Sequence, residues 1–115
     1  MKTFVFDLDG TLCSTVSNGK YEEAQPCNNR IKTVNRLHEE GNSIIICTAR
    51  GMGRYNNDAI AARSEFYNLT VKQLALWGVR YDEIHLGKPS GDLYIDDKAM
   101  RDDQFFKITT GDGFE

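Results

Sequence analysis

The sequence is poor in several features, and each shortage excludes something. Cysteine occurs three times, at Cys13, Cys27 and Cys47, an odd number with no CxxC spacing. That excludes a disulfide framework and a cysteine zinc site, and it fits a reducing compartment. No apolar run approaches the roughly 20 residues a membrane helix requires. Lys2 is followed by only four apolar or small residues before the first acid, which is not a secretory signal. Positive charge is also short: the net charge is −3 with a pI near 5.4, so nothing suggests bulk nucleic-acid binding. No internal repeat, low-complexity tract or linker divides the chain. A soluble, cytoplasmic protein with no membrane partner is expected, forming one domain over residues 1–115. With 40% hydrophobic residues it can bury a single core and little more.

What is present alternates. Four short apolar segments read as strands: Thr3–Phe6, Ser43–Cys47, Glu83–Leu86 and Asp92–Ile95. Phe105–Ile108 is a weaker fifth. Between the first two, Asn28 or Asn29 can cap a helix whose face carries Ile31, Val34 and Leu37 and which stops at Gly41. Asp58 to Trp77 holds one or two helices, with Ala59, Ala62, Phe66 and Leu69 as a stripe. Thr70 could cap a second segment, and Gly78 ends it. Strands alternating with helices imply an α/β fold, a Rossmann-like three-layer sandwich with a mainly parallel sheet. The irregular stretch Cys13–Pro26 reads as a flap, and the tail TTGDGFE as loose.

Ligands of such sheets bind beyond the carboxyl ends of the strands, and polar residues gather there. Asp7 and Asp9 follow the first strand, Thr48 and Arg50 the second, Lys88 the third, and Asp96 and Asp97 the fourth. Carboxylates converging at one rim repel each other and are costly to desolvate. A hard divalent cation such as Mg²⁺ removes that cost, with Asp7, Asp96 and the Asp9 carbonyl as natural oxygen ligands. The cation, Lys88, the Thr48 hydroxyl and backbone N–H groups of the Gly10-Thr11 turn could together receive a phosphate dianion. The set describes phosphoryl transfer.

The stretches DLDGT at 7–11, ICTAR at 46–50, GKP at 87–89 and YIDDKA at 94–99 stand in one order. In them the chain resembles the haloacid dehalogenase superfamily of phosphohydrolases over residues 3 to 99. The resemblance implies Asp7 as the nucleophile that forms an aspartyl-phosphate and Asp9 as general acid and base. Thr48 and Lys88 would hold the transferring group, and Asp96, with Asp97 through water, would complete a Mg²⁺ site with Asp7 and Asp9. The stretch YNNDAI…VKQLALWGVRYDEIHLGKPSGDLYIDDKAM is similar to small phosphatases encoded with capsular and surface-polysaccharide genes, which implies a sugar phosphate or related metabolite as substrate. Only residues 12–27 are available for a cap between the first strand and its helix, and the seven residues between Lys88 and Asp96 are too few for one. The site is therefore expected to be open, with a homo-oligomer supplying a lid.

Plainer readings exist for each residue taken singly. Asp7, Asp9, Asp96 and Asp97 are common turn formers; Lys88 could be a surface lysine before Pro89 and Thr48 a strand cap. Arg50 and Arg54, in RGMGRY, could bind substrate anions or simply be solvated. Tyr55 and Asn57 are candidate substrate contacts, and Lys98 a partner for the acids. Cys13 has no base near it in sequence, while His38 and His85 read as structural. The alternative functions are a polynucleotide 3′-end phosphatase, against which acidity and a single Trp argue, a phospho-receiver domain and a phosphomutase. A receiver carries its acceptor Asp on a middle strand, and a mutase usually needs a cap.

Overall fold

A computed structural model describes residues 1–110. Three parallel strands form the sheet: β1 (Thr3–Phe6), β2 (Ser43–Thr48) and β3 (Glu83–Leu86), in the order β1-β2-β3. Phe6 lies beside Ile46, and Ile46 beside Ile84. Because alternate residues of a strand share a face, Phe4, Phe6, Ile44, Ile46, Ile84 and Leu86 point to one side. On that side sits the buried core, which adds Ile31, Val34 and Leu37 of α1 (Asn28–Glu39), Leu74 of α2 (Ala59–Leu76) and Phe106 of α3 (Asp102–Thr110). The other face carries Val5, Ile45, Cys47, Glu83 and His85, none of them buried, and Val5 is 62% exposed.

Local chemistry sets the helix ends. Gly41, at φ +99°, takes the left-handed conformation that closes α1. Cys27, rather than Asn28 or Asn29, is the residue at its N-cap, and its side chain makes no capping bond. Asp58 caps α2, its carboxylate accepting from the N–H groups of Ile60 and Ala61. This helix runs unbroken: Thr70 does not cap a second segment but donates to the Phe66 carbonyl at 2.8 Å. The buried stripe is Ala62, Phe66, Thr70, Gln73 and Leu74, and Ala59 is exposed.

Two expected strands are absent. Phe105–Ile108 lies within α3, whose first turn carries Asp102 and Asp103, favourable at a helix N-terminus. Phe105 packs edge-on against Phe6 at 5.6 Å, and Phe106 lies under the Arg30 guanidinium at 4.6 Å, so tertiary packing overrides a strand-like sequence. Asp92–Ile95 is irregular, and every residue from Asp92 to Met100 is exposed. Of the expected loose tail, residues 111–115 lie outside the described residues.

The stretch Cys13–Pro26 is tied down rather than free. Cys13 is fully buried, Ser14 and Gln25 are joined through backbone, Cys27 N–H reaches the Leu12 carbonyl, and Tyr21–Glu23 forms a 3₁₀ turn. No cap domain is inserted between β1 and α1.

Candidate active site

Asp7 leaves β1 at the carboxyl edge of the sheet, about one-third exposed. The Thr11 hydroxyl donates to its Oδ2 at 3.2 Å, and Lys88 Nζ lies 3.6 Å from Oδ1. Burial raises the Asp7 carboxyl above its ordinary range; Lys88, the Leu8 N–H and Thr11 oppose that rise, and Asp9 adds to it. Lys88 is placed by backbone: its N–H and that of Gly87 both donate to the Thr48 carbonyl at 3.2 Å. The ends of β2 and β3 thereby deliver one cation to the first carboxylate of β1.

The turn after Asp7 is closed on itself. Thr11 and Leu12 N–H groups donate to the Leu8 carbonyl, and Gly10 N–H donates to the Cys13 carbonyl. Gly10 and Thr11, expected to offer backbone N–H groups to substrate, have spent them inside the loop. Gly10 serves conformation instead: it holds φ +84°, where a side chain is strained. Thr11 serves Asp7 through its hydroxyl, while its carbonyl accepts from buried Arg30 at 3.1 Å, and Arg30 also holds Asp102 at 2.7 Å.

Asp9 is held by Arg50. Nε meets Oδ2 at 2.9 Å and Nη2 meets Oδ1 at 3.0 Å, a side-on bidentate pair. Arg50 is 1% exposed and its third nitrogen, Nη1, donates to Thr70 Oγ1 and Gln73 Oε1, with the Tyr21 ring 4.9 Å away. The expectation that Arg50 binds substrate anions does not survive this geometry, since a buried guanidinium with all its nitrogens engaged offers nothing outward. It positions Asp9.

Thr48 is buried and its hydroxyl accepts from the Arg50 N–H at 3.2 Å. Arg54 pairs with Glu65 at 2.7 Å and stays half-exposed. With Asn18, Gly19, Gly51 and Phe66 it lines a cavity of about 360 Å³ where the 13–26 stretch meets the loop after β2. Tyr55 bonds Glu65, and Asn57 Oδ1 accepts from Ser90 N–H. The Cys13 thiol is pushed up to about 12, first by burial and then by Asp9, which leaves it without thiolate character.

Asp96 and Asp97 are not brought to this cluster. Both are exposed; the Asp96 carboxylate accepts from the Lys98 N–H at 2.9 Å, which with Asp97 holds it below its usual range. Among the described residues no group of three His, Cys, Asp or Glu could hold a metal ion. Within a single chain the carboxylates expected around Mg²⁺ are therefore not assembled: Asp96 and Asp97 do not join Asp7 in a metal-holding group, and Arg50 takes the Asp9 carboxylate, which leaves Asp7 and the Asp9 carbonyl as the expected ligands at this rim.

Thr70 and Gln73, which hold Arg50, and Arg30, which braces the Thr11 carbonyl, escaped the sequence reading. The available signal was a pair of polar residues three apart on the otherwise apolar stripe of α2.

Residues 4–61 match the family model described as haloacid dehalogenase-like hydrolase. A crystal structure of a structural-genomics target from Vibrio cholerae is similar at 33% identity with a TM-score of 0.83, covering 91% of this chain and 87% of that one. D,D-heptose 1,7-bisphosphate phosphatase from B. bronchiseptica, solved with magnesium and phosphate, shares the fold at 22% identity and a TM-score of 0.54. The match covers 86% of this chain and 54% of that one. No curated protein matches. The DLDGT turn, the carboxyl-edge pair of acids and these likenesses lead to one assignment: the chain belongs to the haloacid dehalogenase-like hydrolases.

Proposed function

We infer that the chain is a phosphomonoesterase acting through an aspartyl-phosphate on a small phosphorylated metabolite, with a sugar phosphate as the substrate class. The reading rests chiefly on one arrangement: a part-exposed Asp7 beside Lys88, followed two residues later by an Asp9 that Arg50 holds at both oxygens.

In the first step an Asp7 oxygen attacks phosphorus, the bond to the ester oxygen breaks, and Asp9, which has to enter this step protonated on a lone pair that Arg50 leaves free, gives that proton to the departing alkoxide. In the second, Asp9 takes a proton from water as that water attacks phosphorus, which frees inorganic phosphate and restores Asp7. Lys88 offsets charge on the transferring group, and the Thr48 hydroxyl is the second candidate donor at the same rim. Mg²⁺ remains the proposed cofactor, but one chain does not assemble its ligands and no step here is routed through it.

The solved heptose bisphosphate phosphatase supports a sugar phosphate by likeness of fold. No helix among the described residues is long and apolar enough to cross a membrane. Cys13, Cys27 and Cys47 form no disulfide, which is in keeping with a cytoplasmic setting. Turnover of a panel of sugar phosphates, nucleotides and a 3′-phosphorylated oligonucleotide, with Asp7→Asn as control, tests the proposal. Hydrolysis of sugar phosphates that vanishes in Asp7→Asn is expected. Strong preference for the oligonucleotide would move the assignment to end-processing, and a persistent phospho-Asp7 with no ester turnover would make the chain a receiver.

A further inference from the structure

The aim of the Lys88 side chain is not explained by its backbone. The Lys88 and Gly87 N–H groups fix the main chain to the Thr48 carbonyl, but the stem beyond it is long and rich in rotamers. The ion pair with Asp7, at 3.6 Å, is longer than a hydrogen bond, and both side chains are partly exposed. A pair of that kind contributes little by itself. Something further has to keep the ammonium at the carboxylate rather than out in water.

The ring of Tyr94 is in place to do so. Lys88 Nζ lies 4.3 Å from its centroid, within the range of a cation over an aromatic face. The hydroxyl at the far end of the ring is held by two bonds. It donates to the Pro89 carbonyl at 2.6 Å and accepts from the Gly91 N–H at 3.1 Å, since a phenol oxygen can do both. The chain from Lys88 to Tyr94 therefore closes into a small loop, with the ring laid back against the residue that begins it. The base of that loop is anchored as well. Pro89 has its φ set by its own ring, and the Ser90 N–H donates to Asn57 Oδ1 at 2.8 Å, which ties the loop to the one after β2. Exposure marks the contact: Tyr94 is 49% exposed, while its neighbours Leu93 and Ile95 stand at 77% and 90%.

A ring suits this task better than an acid would. A second carboxylate would occupy the ammonium's N–H donors and offset its charge. An aromatic face attracts the cation without taking a hydrogen bond, so the donors stay free to turn toward a phosphoryl group. We propose that Tyr94 is a positioning residue: its ring holds the Lys88 ammonium at Asp7, and its hydroxyl, clamped by Pro89 and Gly91, holds the ring. The contact stands on geometry alone; its effect on turnover rests on the phosphatase reading.

Two measurements separate the contact from its effect. In protein carrying isotope-labelled lysine, the NMR signal of the Lys88 ε-methylene, identified by its loss in Lys88→Met, should be displaced upfield by the ring. Tyr94→Leu should return it to the position of a free side chain, and Tyr94→Phe should leave it displaced. In steady-state kinetics Tyr94→Leu should lower kcat about two- to five-fold, the size of an exposed cation–π contact. Tyr94→Phe should retain most of the wild-type rate. The fall should vanish in the Lys88→Met background, because a residue that works through Lys88 then has nothing to position. Where Lys88→Met is too slow to assay, the Phe and Leu pair decides. A Lys88 signal indifferent to Tyr94→Leu overturns the contact. An equal fall with and without Lys88, or a Tyr94→Phe as slow as Tyr94→Leu, overturns the positioning role and leaves the hydrolase assignment standing. A wild type that turns over no phosphate ester overturns the phosphatase reading instead, and the methylene signal then decides by itself whether Tyr94 holds Lys88.

Discussion

Arg50 and Asp9 form a side-on pair in which two guanidinium nitrogens meet the two carboxylate oxygens at 2.9 and 3.0 Å. Around it Thr70, Gln73 and Tyr21 leave the arginine no other orientation. A side chain fixed this way is already in position before any ester arrives. Arg50→Lys keeps the charge but cannot keep the fork. It is expected to lower kcat on the order of 10²-fold with little change in KM, read from steady-state kinetics; a change in KM alone would point to substrate contact instead.

Arg50→Met goes further, because it strands Asp9 and Gln73 Oε1 without their donor. A loss of about 3–5 kcal/mol in urea unfolding is expected from breaking a buried pair on one side. Asp9→Asn, with the fold intact, should slow turnover by roughly 10²–10⁴-fold.

Lys88 works against the burial that raises Asp7. The nucleophile must be a carboxylate, so kcat/KM falls as pH falls through its folded-state value. Lys88→Met removes the largest opposing influence, and the acid limb of the profile should move to higher pH. The same sign holds for stability: a raised carboxyl favours the folded state below its unfolded value and loses that favour as pH rises through the folded one. The variant's deficit relative to wild type should accordingly fade in acid. An unmoved limb would separate Lys88 from Asp7.

Cys13 sits beside Asp9 with its thiol pushed up to about 12. In the native protein it should resist iodoacetamide at pH 8 and become alkylated only on unfolding, as read by mass spectrometry. Rapid native labelling would show that the 13–26 stretch opens.

Asp58 supplies the capping acceptor of α2. Asp58→Ala should cost about 1 kcal/mol by thermal or urea unfolding.

Much of this was readable from residue order. Thr3–Phe6 and Glu83–Leu86 appear with the bounds their composition predicts, Ser43–Cys47 extends by one residue, and Asp7, Asp9, Thr48 and Lys88 all leave strand ends at one rim. Two kinds of information lay outside the pattern. One is what a short segment turns back upon: Asp92–Ile95 has a strand's composition, but its Tyr94 lies over Lys88 at 4.3 Å and bonds Pro89 and Gly91, and the segment is irregular. The other is who occupies a hydrogen bond. Arg50 and Arg54 look alike in RGMGRY, yet one is buried among Asp9, Thr70 and Gln73 and the other lies at the surface with Glu65. Gly10 and Thr11 likewise read as open donors until the turn's own carbonyls claim them.

The last helix is linked to the nucleophile by a chain of three bonds. Asp102 grips Arg30, Arg30 grips the Thr11 carbonyl, and the Thr11 hydroxyl grips Asp7. Trimming the polypeptide ahead of Asp102 would therefore slacken the attacking carboxylate from behind, and the far end of the molecule governs how firmly its first acid is aimed.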